Sequence, residues 1–306
     1  MRPATPLPHH FRNDKESIAV DLKSGAVFVT WTQFNSNGSS PIVISKSMDG
    51  GITWSTAVQV NPVFSAGGIT SYSQGSIPQA NNGALYVAYE SAVCQNAACN
   101  RPTDHDAIIV AKSTDGGQTF LNREVAVDYD FPLNADTGRS TLTNENFRIN
   151  SFPQMTVDPT DGRLYLVWAD DRNGKYDSQG NSVKTNGDVF LVSSNDGVRW
   201  TQPFRFGTAA DEVFPAIAVY DRHVAITFYT RAYDADGINL DYAYVAPEDL
   251  SDLEDVHITR ITKQSENPQV QFVSTGLATY KVLQGVFIGD YSAAAIGRDR
   301  VTSWRD

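Results

Sequence analysis

A short pattern that occurs three times constrains the fold of this chain more than any other feature. The segments SMDGGITW, STDGGQTF and SSNDGVRW share the form S-x-[DN]-x-G-x-x-[WF]. Asp or Asn can hydrogen-bond to nearby backbone and glycine accepts a positive φ, so each copy predicts a tight turn. The pattern positions are Ser47, Asp49, Gly51 and Trp54, then Ser113, Asp115, Gly117 and Phe120, and finally Ser193, Asn195, Gly197 and Trp200.

Strand-like segments recur around these turns in a fixed order. PIVISKS, DAIIVAKS and DVFLVSS precede the three turns. Five β-branched and aromatic segments also recur along the chain: AVFVTWTQ, ALYVAYES, RLYLVWADDR, HVAITFYTRA and RVTSWRD. Another strand comes before each of these five, so the repeating unit is strand A, tight turn, strand B, long loop, strand C, Asp-containing turn, strand D. The sequence therefore predicts an all-β protein of small four-stranded antiparallel sheets.

The three turns resemble the Asp-box of sialidases and related proteins, and the resemblance covers nearly the whole chain. It implies a single β-propeller domain over residues 1–306, of the six-bladed sialidase type with four-stranded antiparallel blades. Four repeats and the first two strands of a fifth can be traced. We therefore expect about four and a half blades here, in a fragment that lacks an N-terminal blade; an irregularly closed ring is the alternative.

Composition excludes two classes of partner. The chain has 35 acidic and 24 basic residues, a net charge of −11 and no Lys/Arg cluster, which argues against nucleic-acid binding. No apolar run approaches the roughly 20 residues of a membrane helix, and the first residues do not form a secretory signal. The two cysteines, Cys94 and Cys99, form either a loop disulfide or two separate thiols. The disulfide alternative suits a secreted or extracellular protein.

Charged side chains are predicted to collect on one face of the sheets. Because neighbouring strands alternate in direction, the ends of the B strands and the starts of the A strands share a face. Its predicted arginines are Arg148, Arg172, Arg231 and Arg305. Converging guanidinium groups suit a ligand that carries a carboxylate; pairing of these arginines with acidic neighbours is the alternative.

The resemblance to sialidases implies roles for individual residues. It makes Tyr291, in GDYSAAA, the candidate nucleophile, Asp177 the candidate acid/base, and the four arginines the candidate substrate-binding residues; Asp170, in WADDR, completes the candidate catalytic set. Ser151 stands where the family has its first triad arginine, a departure that puts activity in doubt. No glutamate stands out as the partner of Tyr291; Glu145 and Glu212 are merely predicted to lie on the same face.

Two hypotheses about function follow from these residues. The first is a sialidase-like glycoside hydrolase that acts on the terminal acidic sugars of glycans. The second is a non-catalytic propeller that binds glycans or proteins through the same face. Neither hypothesis needs a cofactor; the segment DADGINLD (234–241) has the alternating oxygen ligands of a calcium loop without its full register, so a polar loop is the favoured interpretation.

Overall fold

The structure, a computed structural model, describes residues 12–62, 72–94, 99, 102–135, 138–247, 256–268, 288–289, 291–297 and 300–305. The chain divides into two compact units. Unit 1 comprises Met1–Asp128, Phe152–Leu166 and Ser193–Gln202, and unit 2 comprises Tyr129–Ser151, Val167–Val192 and Pro203–Asp306.

Unit 1 contains two complete four-stranded antiparallel sheets. The first has the order β1 (Arg12–Val20), β2 (Val27–Phe34), β3 (Ile42–Ser47) and β4 (Val58–Gln59). The second has the order β5 (Ser73–Asn81), β6 (Ala84–Val93), β7 (His105–Ser113) and β8 (Leu121–Asp128). A buried apolar cluster joins the two sheets, with Phe28, Ile42 and Ile44 on the first and Val87, Tyr89 and Ile109 on the second.

Unit 2 contains a third complete sheet and several hairpins. The sheet has the order β17 (Glu212–Tyr220), β18 (His223–Thr230), β19 (Asp241–Val245) and β20 (Thr259–Arg260). The hairpins are β9 (Leu133–Asn134) with β10 (Arg139–Ser140), β13 (Lys175–Tyr176) with β14 (Ser182–Lys184), and β21 (Ser292–Gly297) with β22 (Arg300–Arg305). A further four-stranded sheet is formed by β11 (Gln154–Val157), β12 (Leu164–Asp170), β15 (Asp188–Ser194) and β16 (Phe204–Phe206), and its residues are divided between the two units.

The predicted order of strands A to D is confirmed in all four of these sheets, where each strand pairs with the one that follows it in the repeat. The fifth pair of strands is the hairpin β21–β22. The strand β19 takes the C position of the fourth repeat, and the sequence pattern did not mark its position because no S-x-D-x-G turn follows it. The number of blades stays a prediction.

The first two repeated turns are closed by hydrogen bonds to a serine and an aspartate. The amide of Gly51 donates to Ser47 Oγ over 2.8 Å, and the Thr53 amide donates to Asp49 Oδ1 over 2.8 Å. In the second turn Gly117 donates in the same way to Ser113 Oγ, and Thr119 to Asp115 Oδ1. The aspartate satisfies backbone donors that the turn would otherwise leave unpaired.

The third turn differs from the sequence pattern by one residue. The serine and aspartate that close it are Ser194 and Asp196, not the predicted Ser193 and Asn195. The amide of Gly197 donates to Ser194 Oγ over 2.8 Å. The glycine thus lies three residues after the serine here but four residues after it in the other two turns, so this turn is one residue shorter.

Three A strands share a β-bulge near their first residues. The pairing shifts between Asp14 and Ser17 in β1, between Gln74 and Ile77 in β5, and between Val213 and Ala216 in β17. One residue in each bulge has a positive φ: Lys15 at 57°, Gly75 at 68° and Phe214 at 53°. A bulge of this kind adds one residue to its strand and changes which way the preceding side chains point.

The two cysteines form a disulfide, with Cα atoms 5.0 Å apart, as one of the two sequence alternatives predicts. Within the described ranges, no helix has the length and apolar character that crossing a membrane requires.

Candidate functional site

Unit 2 contains a cavity of about 730 Å³. Its walls come from the segment before β11, the end of β14, the connection from β16 to β17, and the loop that follows β18. The side chains that can act chemically on a ligand there include Thr143, Lys184, Thr185, Asp211, Arg231, Asp234 and Asp236. Loops that join rigid strands are where binding groups usually concentrate.

Arg231 connects three of the segments that form the cavity wall: the loop after β18, the segment before β11 and the β16–β17 connection. Its guanidinium is only 4% exposed; Nη1 lies 2.9 Å from Asp211 Oδ2, and Nη2 lies 3.0 Å from Glu145 Oε1. Both Nη atoms also donate to the carbonyl oxygen of Thr143. The sequence predicted that Arg231 would bind a substrate carboxylate, but in the structure two buried carboxylates of the protein already occupy this guanidinium. The alternative of mutual pairing therefore describes Arg231 better.

The segment 185–188, which enters β15, connects two buried acidic residues. The amide of Asn186 donates to Asp171 Oδ1 over 2.7 Å, and the next amide, that of Gly187, donates to Asp211 Oδ1 over 2.9 Å. The Thr185 hydroxyl also donates to Asp211, over 3.0 Å. Adjacent peptide groups thus hold Asp171 and Asp211 in a fixed relation.

Asp171 is a buried carboxyl group without a described cationic partner. Its donors are the Asn186 amide and the Tyr176 hydroxyl, which lies 2.6 Å from Oδ2. Burial raises the pKa of Asp171 to about 6, against the smaller lowering effect of these hydrogen bonds. Gly174 is needed beside it, because a Cβ atom at that position would overlap the carboxylate.

Glu212, the first residue of β17, is a second buried carboxyl group of this kind. It accepts hydrogen bonds from the Thr208 amide and hydroxyl and from the Thr230 hydroxyl, at 2.8–2.9 Å. These donors are uncharged, and burial raises the pKa of Glu212 to about 7. Unpaired carboxyl groups whose pKa approaches neutrality are concentrated at functional sites.

The buried Asp170 and the partly exposed Arg172 form an ion pair at the end of β12. Arg172 Nη2 lies 2.6 Å from Asp170 Oδ2, and Nε lies 2.9 Å from Oδ1. The guanidinium also lies over the ring of Phe190, 4.0 Å from its centroid, and over that of Tyr129, at 5.1 Å. The structure thus brings these two predicted site residues together, with the arginine engaged by the protein itself.

Asp188 belongs to the same group of buried acids. Burial raises its pKa, while Asn173 and Arg205 each donate a hydrogen bond to it. Arg205 Nη1 lies 2.9 Å from Asp188 Oδ1. The buried carboxyl groups of unit 2 thus include those of Glu145, Asp170, Asp171, Asp188, Asp211 and Glu212.

The predicted acid/base Asp177 is exposed, in the turn between β13 and β14. Its carboxylate accepts hydrogen bonds from the side chain and amide of Asn181 and from the Gln179 amide, and these bonds lower its pKa. A carboxyl group that is ionised at neutral pH makes a poor proton donor. The turn geometry thus disfavours the acid role that the sequence suggests for Asp177.

Tyr291, Arg148 and Ser151 are not among the described residues that line the cavity. Tyr291 directly precedes β21 and is 44% exposed, and Arg148 is partly buried near β11. Arg305 ends β22, and its side chain lies outside the described part of the chain. Ser151, which stands where sialidases have an arginine according to the sequence resemblance, is buried.

The calcium hypothesis concerns residues 234–241, which lie next to the cavity. The carboxylate of Asp234 accepts from the amides of Ile238 and Asn239, which lowers its pKa. Asp241 is fully buried and accepts from Arg260 and Thr262. Both acids thus have protein donors, which favours the polar-loop interpretation; calcium binding itself stays a prediction.

Sequence reasoning missed most of the groups that form this site. Asp211 and Tyr176 were not singled out, and Glu145 and Glu212 were placed on the expected face without a role. The available signal was the run of acidic residues at strand ends, as in WADDR and ADE. This signal indicates the face of the sheets on which the acidic residues lie, but it does not show which carboxyl groups form an ion pair with an arginine.

Comparisons with known proteins identify the fold. The sequence matches no protein-family model and no curated protein. The structure is similar to an α-L-arabinanase of Penicillium chrysogenum solved with arabinobiose, with a TM-score of 0.56 and 14% identity over 93% of this chain and 71% of that one. It is also similar to the GH93 α-L-arabinofuranosidase of Fusarium graminearum solved with arabinobiose, with a TM-score of 0.53 and 14% identity over 86% and 71% of the two chains.

At this level of identity the likeness is evidence for the fold alone. These neighbours are β-propellers, so the predicted all-β propeller class is confirmed. The sialidase type, in contrast, receives no specific support from them.

Proposed function

We propose that the chain is a glycoside hydrolase that cleaves a neutral sugar from a glycan bound in the cavity of unit 2. One observation carries the proposal: two buried carboxyl groups that are hydrogen-bonded to segments of the cavity wall, Asp171 and Glu212, have pKa values raised to about 6 and about 7. The structural neighbours agree with it, because they are named as an arabinanase and an arabinofuranosidase.

Hydrolysis of a glycosidic bond generally uses one protonated and one ionised carboxyl group. Asp211 is the buried one of the three aspartates that line the cavity, and Arg231, Thr185 and Gly187 fix its position. In this proposal Asp211 contacts the sugar. Asp171, which adjacent amides hold next to it, supplies a group that exchanges its proton near neutral pH.

The pairing of the arginines favours a neutral sugar over an acidic one. Arg231 is engaged by Asp211 and Glu145, and Arg172 by Asp170. A sialic acid carboxylate would have to compete with these internal carboxylates for the guanidinium groups. The sialidase hypothesis is therefore supported only by the sequence resemblance, through Tyr291, Arg148 and Arg305.

The test is a comparison of substrates and variants. The wild-type protein should release sugar from linear arabino-oligosaccharides or from an aryl α-L-arabinofuranoside, measured by chromatography and by chromophore release, and should leave an aryl sialoside intact. Asp211→Asn should lower the rate by about 10²-fold or more. Asp221→Asn is the matched control, because Asp221 is exposed in the β17–β18 turn and its positive φ of 47° suits asparagine.

Two outcomes would contradict the proposal. The first is an Asp211→Asn variant as active as the control. The second is a wild-type protein that binds oligosaccharides and hydrolyses none, which would support the non-catalytic binding alternative. We also propose an extracellular setting, which the Cys94–Cys99 disulfide supports.

A further inference from the structure

We propose that Tyr176 is the positioning residue of Asp171, and that its hydroxyl holds the oxygen of Asp171 that gains and loses a proton. The inference deepens the proposed function and rests on it, because a positioning role requires the reaction in which Asp171 exchanges its proton. Tyr176 lies in the hairpin β13–β14, and Val183 and Lys184 of the same hairpin line the cavity.

The carboxyl group of Asp171 connects the two ends of one chain segment. The Tyr176 hydroxyl donates to Oδ2 over 2.6 Å, and the Asn186 amide donates to Oδ1 over 2.7 Å. Residues 177–185 lie between these two donors, and the last three of them line the cavity. Each carboxyl oxygen thus accepts a hydrogen bond from a different end of the segment, which fixes the plane of the carboxyl group.

The two donors differ in the protonation states that they allow. A backbone amide can only donate, so Oδ1 cannot carry a proton while it keeps the bond from Asn186. A tyrosine hydroxyl can both donate and accept. The proton of the neutral acid therefore lies on Oδ2, where the Tyr176 hydroxyl accepts it, and the same hydroxyl donates to Oδ2 when Asp171 is ionised. The contact is compatible with both states without any movement of the hairpin.

Tyr176 itself stays neutral while Asp171 changes its charge. Burial raises the pKa of the Tyr176 hydroxyl, and the hydrogen bond to Asp171 raises it further. The negative charges of Asp171, Asp130 and Asp170 act in the same direction. The hydroxyl is therefore available as an uncharged donor throughout the pH range in which Asp171 titrates.

The other charged groups near Asp171 oppose its ionisation. Its burial is the largest effect and raises the pKa, as do the negative charges of Asp211 and Asp170. These two aspartates have arginine partners of their own, Arg231 and Arg172. Two hydrogen bonds favour the ionised form, those from the Tyr176 hydroxyl and from the Asn186 amide, and the effect of Tyr176 is the larger. Only the bond from Tyr176 comes from a side chain, so a substitution can remove it.

NMR of the Asp171 carboxyl carbon tests the inference without any substrate. In protein labelled at the aspartate carboxyl carbons, the Asp171 signal is the one that is missing from Asp171→Asn, and it is followed between about pH 4 and pH 9. Tyr176→Phe removes the hydroxyl and keeps the ring. We expect it to raise the affinity of Asp171 for its proton about tenfold, which is a rise of about 1 in its pKa.

Tyr220→Phe is the matched control. Tyr220 is 47% exposed at the last position of β17, against 45% for Tyr176, and it belongs to the same unit. Loss of this hydroxyl should leave the titration of Asp171 unchanged. If Tyr176→Phe does not fold, Tyr176→Leu replaces it, because it also lacks the hydroxyl and should shift the titration in the same direction.

The pH dependence of hydrolysis is the second measurement. With linear arabino-oligosaccharides as substrates, the part of the pH–rate profile that depends on Asp171 should move to higher pH in Tyr176→Phe and stay in place in Tyr220→Phe. A purely structural contribution of Tyr176 would lower the rate or the melting temperature at every pH and leave the position of the profile unchanged.

The outcomes separate this inference from the proposed hydrolysis. An Asp171 signal that titrates at the wild-type pH in Tyr176→Phe overturns the inference, whether or not the protein hydrolyses glycans. A shifted titration in a protein that hydrolyses no glycan supports the contact of Tyr176 with the Asp171 proton and rejects the hydrolase. A shifted titration with an unshifted pH–rate profile overturns the positioning role, because Asp171 would then not be the group that exchanges a proton in the reaction.

Discussion

Replacing Glu212 by glutamine should make the protein more stable above neutral pH. Glu212 is fully buried, and its donors are the Thr208 amide and the hydroxyl groups of Thr208 and Thr230. A glutamine carbonyl can accept from the same amide, and its NH₂ group can donate to the two hydroxyl oxygens, which are able to reverse their roles. The substitution therefore mimics the protonated acid with little change in shape.

The magnitude follows from the pKa of Glu212. Burial raises this pKa from an ordinary value of 4.5 to about 7. The folded protein thus holds the proton more tightly than the unfolded chain, so stability falls as the pH rises from about 4.5 to about 7. At about 1.4 kcal/mol for each pKa unit, the free energy of unfolding loses about 3 kcal/mol across this range. The glutamine variant does not ionise and avoids this loss.

Urea unfolding at several pH values between 4.5 and 8.5 measures the effect. The two proteins should be similarly stable at the acidic end, and the variant should be more stable by up to about 3 kcal/mol above pH 7. Asp171, whose pKa is about 6, destabilises both proteins equally as it ionises, so the difference between them isolates Glu212. If the free energies of unfolding of the two proteins differ by the same amount at every pH, the argument that burial holds Glu212 in its protonated form is refuted.

Three other substitutions and one alkylation assay have expected outcomes. Gly174→Ala should lower the melting temperature, measured by circular dichroism, because the new Cβ atom overlaps the Asp171 carboxylate. Asp171→Asn should remove the part of the pH–rate profile that depends on a group with a pKa of about 6, and an unchanged profile would exclude its role. Asp49→Ala should lower the melting temperature through loss of the turn after β3, whereas a fall in glycan affinity would place that turn in the site. Intact-mass analysis should show alkylation of Cys94 and Cys99 only after reduction.

Much of the fold could be predicted from the sequence because the pattern repeats. Each copy of a strand or turn supports the others, so the A–B–C–D order follows from five imperfect examples. The third turn shows where this reasoning stops. Residues 193–196 are two serines, an asparagine and an aspartate. The sequence pattern matches Ser193 and Asn195, whereas the hydrogen bonds of the turn are formed by Ser194 and Asp196. Side-chain hydrogen bonds depend on the local backbone path, which a consensus pattern does not encode.

The site could be predicted only in part. The sequence identified Asp170, Arg172 and Arg231 as residues of one face, and all three lie in unit 2. It did not show that each arginine is neutralised internally, because the partners of Arg231 come from loops distant in sequence, at Glu145 and Asp211. Burial raises the pKa values of Asp171 and Glu212. It depends on how the loops run through the folded structure, which no short sequence motif specifies.

The bulge in β17 makes the chemistry of this region sensitive to chain length. Side chains alternate along a strand, so deletion of Phe214 alone would turn the residues before it to the opposite side of the sheet. Glu212 would then leave the pocket formed by Thr208 and Thr230, and an adjacent residue such as Val213 would take its place. The gain or loss of one residue at the bulge in β17 would replace a proton-binding side chain by an apolar one, while the strand remained paired. Related chains could therefore differ in activity without differing in fold.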